Sequence, residues 1–189
     1  THRMRFLLNR GFVDLNLQHS TTTNVPRFDA LNDVIGDGVT PRWAEWSYGP
    51  QQRTLLASTY HRLFGGLQWT TTGSAQRIQE SRIKRRFGSD ARTTQLETVD
   101  VLGLTSSLQG RRGPWAWQAG VDGQWNAVNS DASEERLDTG DVGTAPTRYA
   151  DGGSIMTSMA AFAATHRDVR NTTIRVGVRG SHAAVSASF

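Results

Sequence analysis

The chain has 189 residues, of which 37% are hydrophobic, with a mean hydropathy of −0.49 and a formal net charge of +4. No stretch approaches the ~18 consecutive apolar residues that a membrane-spanning helix needs, and the absence of cysteine excludes both a disulfide framework and a thiolate metal site. The 21 basic residues against 17 acidic ones form a small, scattered excess, so no nucleic-acid partner is expected despite a pI near 10.3. A membrane barrel remains open, because its strands have one apolar and one polar face and look soluble on average.

From the N-terminus, Thr1-His2-Arg3-Met4-Arg5-Phe6 starts directly in an extended pattern. It has neither an apolar core nor small cleavage-site residues, so no signal peptide is expected. Alternation, Thr, Val and aromatic enrichment, and Gly, Pro, Asn and Asp clusters between runs point to strands throughout. Seven are predicted, at about 4–18, 51–63, 67–86, 92–110, 115–130, 154–167 and 172–188. The last run, Ser186-Ala187-Ser188-Phe189, stops inside a strand-like pattern, so the chain is expected to be cut from a longer protein.

The connections alternate in length. Phe64-Gly65-Gly66, Arg111-Arg112-Gly113-Pro114 and Asp168-Val169-Arg170-Asn171 are tight turns, and all fall at one end of a meander. The other end receives long connections at about 19–50 and 131–153, and a short one near Gly88-Ser89-Asp90. Outer-membrane barrels have this asymmetry, with short periplasmic turns and longer extracellular loops.

The fifth predicted strand is the clearest. From Trp115 to Ala127 the odd positions read Trp, Trp, Ala, Val, Gly, Trp, Ala, and from 118 the even ones read Gln, Gly, Asp, Gln, Asn. Side chains alternate across a strand, so Trp115, Trp117, Val121 and Trp125 are predicted to face lipid, and Gln118, Asp122, Gln124 and Asn126 the lumen. Trp115 to Trp125 spans ~33 Å of strand, which a tilt of ~40° projects onto the ~25 Å height of a lipid-facing band. In the seventh strand Ile174, Val176, Val178 and Gly180 share one face, and Arg175, Gly177, Arg179 and Ser181 the other. Arginines facing a dry core are costly unless paired, whereas a wet lumen accepts them. Met156 to Ala164 is apolar on both faces and fits neither pattern. Together these features predict an all-β fold: an antiparallel meander of about seven long strands, part of a large transmembrane β-barrel.

Several segments in order resemble TonB-dependent outer-membrane receptors. They are Val25-Pro26-Arg27-Phe28-Asp29, Arg42-Trp43-Ala44-Glu45-Trp46-Ser47-Tyr48-Gly49-Pro50-Gln51-Gln52-Arg53, Gln76-Arg77-Ile78-Gln79-Glu80-Ser81-Arg82, Glu97-Thr98-Val99-Asp100-Val101, and Thr147-Arg148-Tyr149-Ala150-Asp151-Gly152-Gly153-Ser154. They are similar to the branch of haemoglobin, haem or transferrin receptors, over nearly the whole of residues 1–189. The resemblance implies a plugged barrel of 22 strands, of which this chain would be a partial barrel domain without the plug or the segment that meets TonB. It also implies uptake of a scarce nutrient, haem or an iron chelate, at the cell outer membrane. The implied partners are outer-membrane lipid and lipopolysaccharide, TonB through the plug region, and the haem or iron-chelate ligand. The short Phe-Arg-Ala-Pro-type run that family members use around haem does not occur here.

No enzyme, cofactor or metal centre is expected. Asp138-Thr139-Gly140 matches the core of an aspartic-protease motif, but that chemistry needs two carboxylates sharing a proton, and a polar loop without a second copy points to a turn. His2, His19, His61, His166 and His182 lack metal-ligand spacing. Arg82, Lys84, Arg85, Arg86 and Arg92 cluster at the tip of the third hairpin, either as a solvated strand end or as partners for lipopolysaccharide phosphate. Trp43, Trp46 and Tyr48 concentrate in the connection 19–50, where they could stack on a planar ligand, meet the membrane interface or pack the loop. No ligand-binding residue is assigned. The alternatives are a passive porin-type barrel and a soluble β-rich binding module.

Overall fold

The computed structural model describes residues 1–188; Phe189, the end of the last strand-like run, lies outside the described residues. The elements are β1 His2–Leu8, β2 Gly11–Thr21, β3 Val25–Pro26, α1 Phe28–Leu31, β4 Trp43–Phe64, β5 Leu67–Arg86, β6 Ala91–Arg112, β7 Trp115–Arg136, β8 Val142–Thr144, β9 Ser154–Val169 and β10 Thr172–Ala187. All belong to one antiparallel sheet except α1, a single turn. The main order is β1-β2-β4-β5-β6-β7-β9-β10, with β3 beside β4 and β8 beside β7. Neighbours in sequence are neighbours in space, and among the described residues β1 and β10 do not meet, so the sheet is open.

The predicted meander holds, with one strand more along its main path. The run expected as a single strand over 4–18 is a hairpin folded at Asn9-Arg10, with Met4 opposite Leu15. Arg10 takes a positive φ of 64° at the turn, a conformation its side chain does not advertise. Four two-residue turns, Asn9-Arg10, Gly65-Gly66, Gly113-Pro114 and Arg170-Asn171, therefore sit at one end of the sheet. Gly65 and Gly66 both have positive φ, the requirement of a tight hairpin whose twist matches its strands. The opposite, loop end receives the connections 22–42, 87–90 and 137–153.

β4 starts at Trp43 rather than 51, because the chain passes Gly49-Pro50 as an irregularity between the pairs Tyr48–Arg82 and Gln51–Glu80 instead of stopping there. Gly49 has φ of 117°, and a Cβ would stand 2.6 Å from the Thr23 carbonyl oxygen, so only glycine fits this close approach. β7 runs on to Arg136. Strands β4 to β7 are 20 to 22 residues long. At ~3.3 Å per residue and ~40° of tilt they project to roughly 50 Å, twice a lipid-facing band.

The sheet has no hydrophobic core in the usual sense. Trp46, Ala150 and Ala160 are the only buried hydrophobic residues among those described. The accessible surface is 12832 Å², against the ~9,000 Å² that a compact soluble protein of this mass exposes. One layer with two open faces cannot bury an apolar face in water.

Registers define those faces. One holds Phe6, Val13, Tyr60, Thr71, Ser106, Val121, Ala161 and Gly180 in a single row, and Leu17, Leu56, Ala75, Leu102, Trp125, Thr157 and Ala184 in another. On this apolar face no Asp, Glu, Lys or Arg occurs between Arg62, Arg112 and Arg167 near the turns and the Arg77–Asp100 ion pair (2.7 Å) halfway along the strands. The other face carries Arg5, Asp14, His61, Glu80, Glu97, Asp122, Arg175 and Arg179.

The tryptophans of β7 lie on the apolar face with Val121, as expected, but less openly than isolated side chains would. Trp115 is 37% exposed, while Trp117 and Trp125 are half-buried. The Trp117 ring covers Gly110 on β6, where a Cβ would stand 3.2 Å from it. Trp69 packs edge-on against Tyr60 with ring centroids 5.4 Å apart.

On the polar face Arg179 donates two hydrogen bonds to Asp122, at 2.7 and 2.8 Å, reaching across β9. This accounts for part of each puzzle of the last two strands, at Arg179 and at the middle of the run Met156 to Ala164. The arginine is paired, and the pair arches over the apolar residues Ala160 and Phe162 of β9, with the Arg179 guanidinium 6.0 Å from the Phe162 ring centre. Phe162 in turn occupies the room left by Gly120, where a Cβ would stand 2.7 Å from it.

Candidate functional site

At the loop end of the polar face, three aromatic side chains of β4 stand opposite three cations of β5. Tyr48 pairs with Arg82, Trp46 with Lys84 and Trp43 with Arg86. The charged groups lie 5.4, 5.8 and 5.8 Å from the respective ring centres. Arg27, from the connection 22–42, covers Trp46 at 4.6 Å, and Trp46 meets Tyr48 edge-on at 4.8 Å. Each such cation contact contributes roughly 0.5–1 kcal/mol at an exposed site.

The three aromatics expected in a loop are therefore on a strand, and their surroundings separate the readings left open for them. Trp46 is 8% exposed and already sandwiched between cations, so it packs the site rather than stacks on a ligand. Trp43 and Tyr48 stay half-buried beside it.

Next to this ladder, Glu80, Arg82, Glu97, Arg148 and Tyr149 line a hollow of about 340 Å³. Arg82 binds Glu80 at 2.9 Å and Glu97 at 3.4 Å, and Arg148 approaches Glu97 at 3.8 Å. Glu97 is buried, yet its Oε1 has no hydrogen-bond partner among the described residues. A buried acceptor left unpaired costs about 1–3 kcal/mol, which a ligand donor would recover. The hollow can hold a small polar molecule carrying both donors and acceptors. It contains no pairing of a nucleophile with a base.

The five cations predicted to cluster at the third hairpin divide between the faces. Arg82, Lys84 and Arg86 are on the polar face; Arg85 and Arg92 are on the other, bound to Glu45 at 2.7 Å and Glu135 at 2.6 Å. A lipopolysaccharide phosphate at Arg85 or Arg92 would have to compete with those carboxylates.

In the connection 22–42, the Arg27 guanidinium holds the Asp29 carboxyl below the usual carboxylate range. The Thr40 hydroxyl and the amides of Val39 and Thr40 do the same for Asp37. Asp138 lies in a turn closed by the Gly140 amide on the Arg136 carbonyl, with Arg136 on its carboxylate. Among the described residues no three His, Cys, Asp or Glu side chains gather as a metal site. His19 and His61 are hydrogen-bonded to threonines on neighbouring strands.

The sequence could supply the residue types of this site but not their pairing. Glu97 and Arg148 come from segments far apart in the chain, and nothing in Glu97-Thr98-Val99-Asp100 marks the first carboxylate as buried and the second as exposed to an arginine on the apolar face.

No protein-family model and no curated protein matches this sequence. Among solved structures, the fold is similar to that of the ferric citrate transporter FecA in its unliganded form, with a TM-score of 0.62 and 15% identity. The likeness covers 97% of this chain and 28% of that one, so the chain spans little more than a quarter of the transporter's length. At that identity what the two share is the fold: a meander of long antiparallel strands from a large barrel.

Proposed function

We propose that the chain is a segment of the transmembrane barrel of a TonB-dependent outer-membrane receptor that takes up a scarce nutrient, an iron chelate before haem. The observation that carries this reading is the charge-free apolar face, about as tall as a lipid-facing band, on a sheet whose strands continue far beyond it as a polar, charged wall. The turns would face the periplasm and the loop end the outside, where the hollow beside Glu97 and Arg148 would meet ligand. A soluble binding module is disfavoured by the missing core.

The iron chelate is preferred because the fold neighbour is a ferric citrate transporter by name, while the haem branch is supported only by scattered motifs without the Phe-Arg-Ala-Pro-type run. The protein supplies binding and a wall; a plug would gate the lumen, and TonB would drive release. The test is growth of an iron-starved receptor mutant complemented with the full-length gene. Growth on ferric chelates that vanishes when TonB is deleted supports the reading. Growth unaffected by TonB deletion makes the barrel a passive porin, and growth on haem alone reverses the order of the two cargoes.

A further inference from the structure

The net charge of +4 is not spread evenly along the strands. On the turn side of the row Leu17–Leu56–Ala75–Leu102–Trp125–Thr157 lie ten arginines and three aspartates, a net +7. Beyond that row acidic groups outnumber basic ones by fourteen to eleven. Three of the turn-side arginines, Arg62, Arg112 and Arg167, stand at the margin of the apolar face itself.

Two of them share one tryptophan. Arg112 is the registered partner of Trp115 on β7, and the Arg167 guanidinium of β9 lies 5.8 Å from the centre of the same indole. No carboxylate among the described residues is within ion-pair distance of either arginine. The Arg167 Nε moreover has no hydrogen-bond partner among the described residues. On the side away from the turn, Trp117 spreads over Gly110, an apolar surface of the kind an acyl chain covers.

We propose that Arg112, Trp115 and Arg167 bind the phosphate of an anionic glycerophospholipid in the leaflet on the turn side. The membrane placement rests on the function proposed above. Guanidinium groups pair with phosphate oxygens through strong charge-assisted hydrogen bonds, and an indole between them sits at headgroup depth, where tryptophan belongs. The apolar surface beyond the arginines selects a lipid over a free phosphate. At the other margin of the apolar band, Arg77 is instead neutralised by Asp100 at 2.7 Å, so the two margins differ in the chemistry they offer a headgroup.

The test uses the full-length polypeptide in detergent micelles, with phosphatidylglycerol or phosphatidylcholine added in steps and bound lipid counted by native mass spectrometry. Phosphatidylglycerol should bind roughly ten- to thirtyfold more tightly than phosphatidylcholine, and R112Q/R167Q should weaken it by the same factor and so remove the preference. Each single variant should cost about fivefold, so the proposal stays testable if the double variant does not fold. K84Q/R86Q, at the other end, should bind as the parent does. Equal binding of the two lipids, undiminished binding by R112Q and R167Q, or displacement by millimolar inorganic phosphate would overturn the lipid site. The underlying orientation is read separately: a cysteine introduced at Asn171 of this cysteine-free chain should escape an impermeant maleimide on intact cells. Labelling there would overturn the orientation and the lipid site together, whereas protection without a lipid preference would overturn the lipid site alone.

Discussion

The two halves of the long strands are built from the same backbone ladder and obey different rules. In the turn-side half, inward of the marginal arginines Arg62, Arg112 and Arg167, charge is confined to one face, and the opposite face carries Leu, Val, Ala, Gly and Trp from strand to strand. In the loop-side half both faces are charged: Arg85 with Glu45 and Arg92 with Glu135 on one, Arg82 with Glu80 and Glu97 on the other. The division falls at Arg77–Asp100. A sheet folded for water would have no reason to change its rules in mid-strand. A sheet that leaves lipid halfway along its length does, because alternation is enforced only where one face must exclude charge.

The largest expected effect breaks this comparison at the height of the apolar band. Val121→Arg places a cation at the centre of the band and should destabilise the folded full-length protein in lipid by about 2–4 kcal/mol. Gln124→Arg, on the opposite face of the same strand, should change stability by less than ~0.5 kcal/mol. Urea unfolding into vesicles measures both, and equal losses would erase the distinction between faces. Second is Gly120→Val, whose side chain would meet Phe162 and the Ser106 carbonyl oxygen, the latter 2.5 Å from the Cβ position. It should cost about 1–3 kcal/mol by overpacking, and the same measurement on Gly120→Val with Phe162→Ala should recover part of the loss.

How far these contrasts could be read in advance depends on what enforces them. The turns at Gly65-Gly66 and Gly113-Pro114 were legible because positive φ demands glycine there. Asn9-Arg10 was not, since arginine gives no such signal and apolar residues flank it on both sides. β7 was legible from Trp115 to Trp125, where lipid imposes a period of two. Its continuation through Asp131-Ala132-Ser133-Glu134-Glu135 looked like loop, because beyond the band nothing imposes alternation. Gly49-Pro50 suggested a strand start, since proline removes a ladder donor, while the fold tolerates it as an irregularity within β4. The hollow around Glu97 was the least legible part, because it depends on cross-strand register and on Arg148 folding back from a long connection.

Smaller effects sharpen the picture of each half. The Arg179–Asp122 pair is half exposed on the polar face, with side-chain accessibilities of 52% and 30%. A double-mutant cycle with Arg179→Gln and Asp122→Asn should give only ~0.2–1 kcal/mol of coupling, as for solvated pairs. A larger coupling would mean that this face is drier than a lumen. At the loop end, hydrogen bonds from Thr40 and its neighbours lower the pKa of Asp37. A carboxylate with a depressed folded pKa stabilises its turn above its ordinary pKa near ~4, and the contribution is lost as pH falls below that. The Val39 and Thr40 amides should therefore exchange faster on acidification, once the intrinsic pH dependence is removed, and Asp37→Asn should abolish the pH-dependent part.

The most direct measurement of the central claim is the environment of each side chain along β7 from Trp117 to Asn126. Single cysteines in the otherwise cysteine-free chain, spin-labelled in the full-length protein in bilayers, report collision with oxygen dissolved in lipid or with a water-soluble nickel chelate. Oxygen accessibility at 117, 119, 121, 123 and 125, with nickel accessibility at 118, 120, 122, 124 and 126, is the result expected from the registers of β6, β7 and β9. Odd positions shielded from both probes, as in a closed core between two sheets, would contradict the account.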